Sequence, residues 1–346
     1  MRDTVLEPEA EGFQIAVDGE GVVATSGGDD TLLETLLRAG LGVPYECSAG
    51  GCGSCKVTLL EGNLQDELAT CPGLRDSDRR KGKRLACVSR PRSDCRVSVR
   101  LDPAYEPVIR PRRTTARFLS RRPITHDLTE FRFQSDEPVQ FLPGQYAKLL
   151  IPGVAGPRNY SMSNTANEQG LWSFVVKRVS GGGASGVLFG DIPDGFTVGI
   201  DAPYSIAHLP PHPHRPIICI AGGSGLAPML SVLRGLGDCP GERPPIVLYY
   251  GARSQRDVID AEHFADIPGF DPDRHYIAVV SEPDAAAPWH GPTGFLHEHL
   301  ALVLPEACGD FDYYIAGPPP MVDAVRRVLV LDRKVPVERL HYDRFF

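Results

Sequence analysis

The segment Cys47-Ser-Ala-Gly-Gly-Cys52-Gly-Ser-Cys55 holds three of the nine cysteines of this 346-residue chain. The cysteines follow the spacing C-x4-C-x2-C, with three glycines among them. Glycine lacks a Cβ, so these positions permit a backbone path too tight for other residues. A distant cysteine, Cys87, follows the apolar pair Leu85-Ala86. The segment therefore predicts a tight loop that gathers thiols around a common centre.

This spacing is typical of the ligands of a plant-type [2Fe–2S] cluster, in which folding brings the fourth thiolate to the loop. Zinc usually takes its ligands from two separated pairs. Disulfide frameworks belong to small secreted domains, and the N-terminal residues show no apolar signal segment. We therefore predict a cluster held by Cys47, Cys52, Cys55 and Cys87.

The fourth ligand of the predicted cluster has alternatives in the sequence. Cys71 and Cys95 also lie near the loop in sequence. Cys87 has an apolar, ordered context, whereas Cys71 precedes Pro72 in a polar, turn-like stretch. We favour Cys87, with Cys71 as the alternative.

Composition is that of an ordinary globular protein with two or three domains, at 42% hydrophobic and 23% charged residues. No run approaches about 18 apolar residues, which predicts no membrane span, and the N-terminus predicts a cytoplasmic location. The net charge of −8 argues against a nucleic-acid partner.

Charge is distributed unevenly along the chain. Residues 1–46 hold ten acidic and two basic residues, and residues 75–122 hold sixteen basic and five acidic ones. The pattern fits either solvated surface or a charged face near the cluster that steers a redox partner. The sequence does not decide which sign would face that partner.

Three regions differ in hydrophobic pattern. Residues 1–103 combine short alternating strands with one helix near Leu32–Gly40, which predicts a small β-rich domain. Residues 112–208 carry alternating runs and turn signals that predict an antiparallel β-barrel. In residues 214–346 buried strands alternate with helical segments, which predicts an α/β domain with a parallel sheet. A proline- and arginine-rich segment, residues 102–113, is interpreted as the first linker.

Two motifs in the second region favour a flavin site. In Arg158-Asn-Tyr160-Ser161 the arginine suits a pyrophosphate, the tyrosine can stack on an isoalloxazine ring, and the serine can bond to its N5. The segment from Lys177 to Leu188 contains four glycines and Ser185, and it predicts a glycine loop that enters a helix through Ser185 and offers N–H groups to an anion. Either motif alone also fits an ordinary strand or turn.

The third region carries nucleotide-loop signals. Gly222-Gly-Ser-Gly225-Leu-Ala-Pro228 lies between a predicted strand and a predicted helix, with Pro228 suited to the first helical turn. Ala316-Gly317-Pro318-Pro-Pro-Met321 follows another predicted strand. Both segments would meet a ligand at the carboxyl edge of a parallel sheet.

Taken together, these motifs and the ending His341-Tyr-Asp-Arg-Phe-Phe346 resemble the reductase components of bacterial multicomponent oxygenases. The ending most resembles toluene- and phenol-type diiron monooxygenase reductases. The resemblance implies a β-grasp ferredoxin domain fused to a ferredoxin-NADP⁺-reductase-like module that binds FAD. It implies NADH:acceptor oxidoreductase activity, and a monomer that serves a separate oxygenase of aromatic, alkane or alkene catabolism docking near the cluster.

The resemblance also implies residue roles. Tyr160 and Ser161 would contact the flavin, and Phe346 would cover the flavin face that nicotinamide must enter; these three form the expected catalytic set. The other expected cofactor contacts are Arg158, Lys177, Gly183 and Ser185 for FAD, and Gly223, Gly225, Pro228, Gly317, Pro318 and Met321 for NADH.

Two positions qualify these expectations. Many relatives carry a cysteine where this chain has Ala316, so hydride transfer would rely on positioning. Arg253 could pair with a 2′-phosphate and permit NADPH, although we expect NADH. The alternatives are a reductase of a Rieske-type dioxygenase and a non-enzymatic electron carrier.

Overall fold

The structure is a computed structural model that describes residues 12–241 and 243–345. The chain divides into two compact units, Met1–Pro111 and Arg112–Phe346. Within the described ranges, no helix is long and apolar enough to cross a membrane.

The first unit is a β-grasp, as predicted. Its main sheet has the order β2-β1-β7-β3-β5, with β1 and β7 parallel and the other pairs antiparallel. Helix α1 starts at a capping box of Thr31 and Glu34 and buries its leucines. The elements are β1 Gln14–Val17, β2 Gly21–Thr25, α1 Leu32–Arg38, β3 Lys56–Glu61, β4 Leu64–Asp66, α2 Asp76–Arg80, β5 Lys83–Leu85, β6 Ser89–Pro91 and β7 Cys95–Ser98.

The segment between Cys55 and Cys87 is more structured than the sequence indicated. Strand β4, helix α2 and strand β5 lie within it, and β4 pairs with β6 just after Cys87. Strands of three residues show too little alternation to be detected by pattern.

The second unit begins with an antiparallel barrel of strand order β11-β10-β13-β8-β9-β12. A bridge between Met162 and Phe174 closes it by joining its first and last strands. Strand β8 starts inside the predicted linker. The elements are β8 Arg112–Pro123, β9 Leu128–Gln134, β10 Tyr146–Leu150, β11 Arg158–Ser161, β12 Leu171–Lys177, α3 Gly183–Phe189 and β13 Thr197–Tyr204.

The rest of the second unit is the predicted parallel sheet, with the order β16-β15-β14-β17-β18. The four predicted strands are present, and β18 is a fifth that its charged sequence concealed. The elements are β14 Ile217–Gly222, α4 Leu226–Asp238, β15 Ile246–Ala252, α5 Pro272–His275, β16 Tyr276–Val280, α6 Leu296–Val303, β17 Asp312–Gly317, α7 Pro319–Arg327 and β18 Leu340–Arg344. A π-helical turn, Val328–Asp332, extends α7.

Candidate cluster, flavin and nucleotide sites

Strand pairing brings Cys55 and Cys87 together. Lys56, the first residue of β3, pairs with Leu85, the last residue of β5. The Ala86 amide then donates to the Cys55 carbonyl over 2.9 Å. The fold thus delivers Cys87 to the end of the cysteine loop. Both cysteines are buried.

Backbone amides in the loop point at cysteine sulfurs. The amides of Ala49 and Cys52 lie 3.4 and 3.3 Å from Cys47 Sγ, and the Ser54 amide lies 3.5 Å from Cys52 Sγ. A hydrogen bond from the Cys47 thiol holds the pKa of Cys52 well below its ordinary value, and the same bond with burial raises the pKa of Cys47. Amides directed at sulfur stabilise thiolates, so the loop suits an iron–sulfur cluster.

Ser48 adds a second sign of fit. Its backbone has φ of 46°, and its buried hydroxyl has no hydrogen-bond partner among the described residues. Burying such a group without a partner costs about 1–3 kcal/mol. A cluster sulfide beside the loop would accept this hydrogen bond, a role that sequence reasoning missed.

Cys71 lies beneath the same loop. A Cβ built on Gly50 would be 3.3 Å from Cys71 Sγ. Burial raises the pKa of Cys71. No backbone amide of the described residues donates to Cys71 Sγ, in contrast to Cys47 and Cys52. This environment favours a neutral thiol at Cys71, and Cys87 stays the predicted fourth ligand.

Strand β11 carries the flavin motif. Arg158 and Tyr160 are two residues apart in this strand, so their side chains lie on the same face. Arg158 is exposed, and its Nη1 donates to the carbonyls of Ala155, Gly156 and Pro157. Tyr160 packs against the barrel core, and burial raises its pKa. The Ser161 hydroxyl is buried without a partner among the described residues. An aromatic ring, a guanidinium and a free buried hydroxyl on one strand suit a flavin.

The glycine loop after β12 differs from its prediction. Helix α3 begins at Gly183 with Gly182 as its N-cap, so the chain does not enter the helix through Ser185. The Ser185 hydroxyl instead accepts from the Val179 amide at 3.2 Å and donates to the Val179 carbonyl at 3.1 Å. Ser185 therefore fixes the shape of its own loop. Gly183 stays at the helix start with no atom closer than 3.9 Å to a built Cβ.

The two nucleotide loops are packed so tightly that they require glycine. A Cβ on Gly225 would lie 2.0 Å from the Ala316 carbonyl oxygen, and one on Gly222 would lie 2.6 Å from Met321 Sδ. The loop after β14 therefore contacts the end of β17 directly. Pro228 is buried in the first turn of α4. This junction is the carboxyl edge where ligands of such sheets bind.

A cleft of about 370 Å³ opens at this edge, between barrel residues and the parallel sheet. Five predicted residues line it: Lys177, Gly223, Arg253, Pro318 and Met321. Gly225, Gly317 and Pro228 do not line it. Sequence reasoning missed other lining residues: His126, Asp127, Tyr250, Arg256, Asp257, Ser281 and Phe295.

The missed residues hold the cleft walls together. Lys177 Nζ lies 3.2 Å from Asp127 Oδ2, and His126 Nδ1 lies 3.5 Å from Asp257 Oδ1. The Tyr250 hydroxyl donates to the Gly223 carbonyl over 3.3 Å. His126 and Asp127 belong to a barrel loop that precedes β9 and carries no nucleotide motif. Only the fold brings them to the cleft.

Arg253 already has a partner. Its Nε lies 3.0 Å from Glu282 Oε2, and both side chains are exposed. A carboxylate beside this arginine opposes a 2′-phosphate, so the pair disfavours NADPH.

Phe346 lies outside the described residues. Its neighbour Phe345 donates its amide to the Gly317 carbonyl over 3.0 Å and packs against the core of the nucleotide sheet.

Helix α4 is clamped to the end of the flavin strand. Arg234 Nη1 donates to the Ser163 carbonyl over 2.6 Å, and the Ser231 hydroxyl donates to the Asn164 carbonyl over 2.7 Å. Glu130 is 1% exposed and accepts from Ser163 Oγ at 3.1 Å, with Arg234 Nη1 3.7 Å away. These contacts set the nucleotide loop relative to Ser161.

Comparisons with known proteins agree with this division of sites. Residues 15–92 match the family described as 2Fe-2S iron-sulfur cluster binding domain. Residues 115–208 match the oxidoreductase FAD-binding domain, and residues 219–327 match the oxidoreductase NAD-binding domain. The chain is therefore an iron–sulfur flavoprotein oxidoreductase that uses FAD, NAD(P)H and a [2Fe–2S] cluster.

Relatives of full length identify the family. The chain is 38% identical to the ferredoxin–NAD(P)⁺ reductase CarAd of Metapseudomonas resinovorans, over 96% of this chain and 100% of that protein. It is 35% identical to the ferredoxin–NAD⁺ reductase component of the alkene monooxygenase system of Xanthobacter autotrophicus, over 92% and 96%. The chain belongs to the family of ferredoxin–NAD(P)⁺ reductases that includes the reductase components of multicomponent oxygenases.

A solved structure agrees over the whole length. The ferredoxin reductase in carbazole 1,9a-dioxygenase matches with a TM-score of 0.87 and 35% identity, covering 96% of this chain and 98% of that one.

Proposed function

We propose that this chain takes electrons from NADH and delivers them singly to a separate oxygenase component. The observation that carries the proposal is the cysteine loop with amides aimed at its sulfurs, in one chain with the nucleotide cleft. We assign the steps to three domains, residues 1–103 for the cluster, 112–208 for FAD and 214–346 for NADH. Free cysteines throughout suit a monomer in a reducing cytoplasm.

When bound, FAD accepts a hydride and releases electrons one at a time, and the cluster carries one electron. The chain positions these groups. Gly223, Pro318, Lys177 and Asp127 line the cleft in which nicotinamide would lie, and Lys177 Nζ pairs with Asp127 Oδ2 at 3.2 Å. Ser161 would donate to flavin N5, and Arg158 would release its loop carbonyls to bind the pyrophosphate.

The ligand set is tested by two matched cysteine variants. Cys87→Ser should lose most of the bound iron and acid-labile sulfide, together with the visible absorption of the cluster. Cys71→Ser should retain all three, since its thiol lies beneath the loop without amide donors. If Cys71→Ser loses iron and Cys87→Ser retains it, Cys71 would be the fourth ligand instead of Cys87.

We propose a diiron monooxygenase as the acceptor. Relatives named for alkene, xylene/toluene, phenol and propane monooxygenases support this choice. A dioxygenase system is the second candidate, because a solved match that is 35% identical is titled as the ferredoxin reductase in carbazole 1,9a-dioxygenase. Reconstitution separates the candidates: NADH consumption should couple to product formation with diiron hydroxylase components. Coupling only with dioxygenase components would reverse the assignment.

A further inference from the structure

The loop before helix α2 lies directly against the cysteine loop. The Gly73 amide donates to the Gly50 carbonyl over 3.0 Å. A Cβ on Gly53 would lie 2.5 Å from the Gly73 carbonyl oxygen, so the two backbones touch. This loop, which leads into α2, therefore contributes to the surface over the proposed cluster.

The centre of this surface is small and apolar. Leu68 is 42% exposed, yet its Cδ1 lies 3.5 Å from a Cβ built on Gly50. Ala49, Ala69 and Pro72 are exposed beside it. An accessible apolar patch over a redox centre suits the contact area of a protein partner.

Two acidic residues near α2, Asp66 and Asp78, are already paired with basic residues. Asp66 lies 3.1 Å from Arg79 and 3.7 Å from Arg84. Asp78 lies 3.0 Å from Lys56 and 3.5 Å from Lys83.

In the segment from Cys71 to Leu85, three basic side chains have no carboxylate partner among the described residues. They are Arg75, Arg80 and Lys81, all exposed. Asp76 is the exposed acid within α2, and Glu46 is half-buried beside Cys47. The balance over the loop is positive. We define the exit face as Ala49, Leu68, Ala69, Pro72, Arg75, Arg80 and Lys81.

We propose that the exit face docks an acidic surface of the electron-accepting protein. This inference rests on the proposed function and supplies the sign of charge that the sequence left open. Unpaired surface cations attract an acidic partner over about 10 Å at moderate salt and accelerate encounter. The apolar centre then excludes water where the two proteins meet.

The test uses the full-length protein carrying its cofactors and two probe proteins of opposite charge. Acidic cytochrome b5 and basic cytochrome c are reduced in stopped flow at low and high salt. The triple variant R75E/R80E/K81E should reduce cytochrome b5 about tenfold more slowly than the parent at low salt, and cytochrome c faster. Both differences should shrink at high salt.

A matched pair of single variants provides the control. Arg80→Glu and Arg100→Glu each change the charge by two in the same unit, and Arg100 is exposed but lies outside the exit face. Only Arg80→Glu should slow cytochrome b5. Equal slowing by both variants, or an unchanged rate in the triple variant, would overturn the docking proposal.

Reduction of the cluster by NADH, followed without any acceptor, should be the same in every variant. If NADH does not reduce the cluster of the parent protein, the proposed function is contradicted but the docking proposal is not. Docking can then still be measured on protein whose cluster has been reduced with stoichiometric dithionite.

Discussion

Two serines stand out at the scale of single residues, because each hydroxyl is buried without a partner among the described residues. Ser48 lies in the cysteine loop and Ser161 ends the flavin strand. Unsatisfied buried hydroxyls are rare in folded proteins, so both indicate a missing acceptor. They lie in the two places where sulfide and flavin acceptors are expected.

Replacing Ser161 tests the flavin contact. Ser161→Ala should slow reduction of bound FAD by NADH about tenfold, since a hydrogen bond worth about 1.5 kcal/mol is lost. Stopped-flow bleaching of the flavin measures the rate. Ser161→Thr keeps the hydroxyl and should recover most of it. An alanine variant as fast as the parent would remove Ser161 from the reaction.

Nucleotide preference depends on the exposed pair of Arg253 and Glu282. Glu282→Gln should raise the NADPH to NADH ratio of kcat/KM by about fivefold, because an exposed ion pair is worth at most about 1 kcal/mol. Steady-state reduction of ferricyanide gives the ratio. Glu306→Gln, at an exposed acid of the loop before β17, should leave the ratio unchanged. If the ratio is unchanged in Glu282→Gln, the ribose 2′-hydroxyl of the nucleotide does not bind beside this ion pair.

Short sequence motifs supplied several residues that line the cleft. Gly223, Pro318 and Met321 are among them, and so is Lys177, which was expected at FAD; their contacts with cofactors stay predictions. Glu282 could not be predicted, because it draws attention only through its ion pair with Arg253, which follows a different strand. The predicted helix entry at Ser185 was wrong, because the helix begins at Gly183.

At the scale of elements, the clamp between α4 and the end of β11 sets the geometry for hydride transfer. Arg234 donates to a backbone carbonyl and lies near buried Glu130. The sequence predicts α4 and β11 separately, since each has its own periodicity or motif. It cannot predict their contact, because the contact joins residues about seventy positions apart.

Arg234→Leu should therefore lower the free energy of unfolding by about 1–3 kcal/mol, because it removes the hydrogen bond to the Ser163 carbonyl and the ion pair with buried Glu130. The rate constant of flavin reduction at saturating NADH should fall by a larger factor than the KM for NADH rises. The reason is that the nucleotide loop after β14 is displaced but still present. Urea unfolding and stopped flow measure the two effects. Arg215→Leu, at a half-buried position in the segment between β13 and β14, is the control. A stable variant with normal flavin reduction would contradict the clamp.

For the whole molecule, two half-buried histidines, His208 and His341, link stability to pH. Burial lowers the pKa of His208 and of His341 below 6.5, the ordinary value. Below pH 6.5, these two histidines therefore bind more protons in the unfolded chain than in the folded chain. Their contribution is fully present above pH 6.5 and is lost as the pH falls from 6.5 towards the lowered folded pKa.

Unfolding in urea should accordingly show lower stability at pH 5.5 than at pH 7.5. The double variant H208F/H341F should show a smaller difference between the two pH values. His212→Gln, in an exposed loop, should leave the difference unchanged. An equal pH dependence in all three proteins would assign acid sensitivity to other groups.

The order of modules along the whole chain was predicted because each carries its own short motif. The fold class followed from alternation in the barrel and buried runs in the parallel sheet. Such patterns could not predict strand β18, which is charged, or the three-residue strands near the cluster, which are too short to show alternation.

Anaerobic titration of the reconstituted protein with NADH, followed by optical absorption and EPR, tests the central claim most directly. The flavin absorption should bleach, and the EPR signal of a reduced [2Fe–2S] cluster should appear and reach one spin per chain. Flavin bleaching without a cluster signal, or no reaction with NADH at all, would contradict the proposed path from nucleotide to cluster.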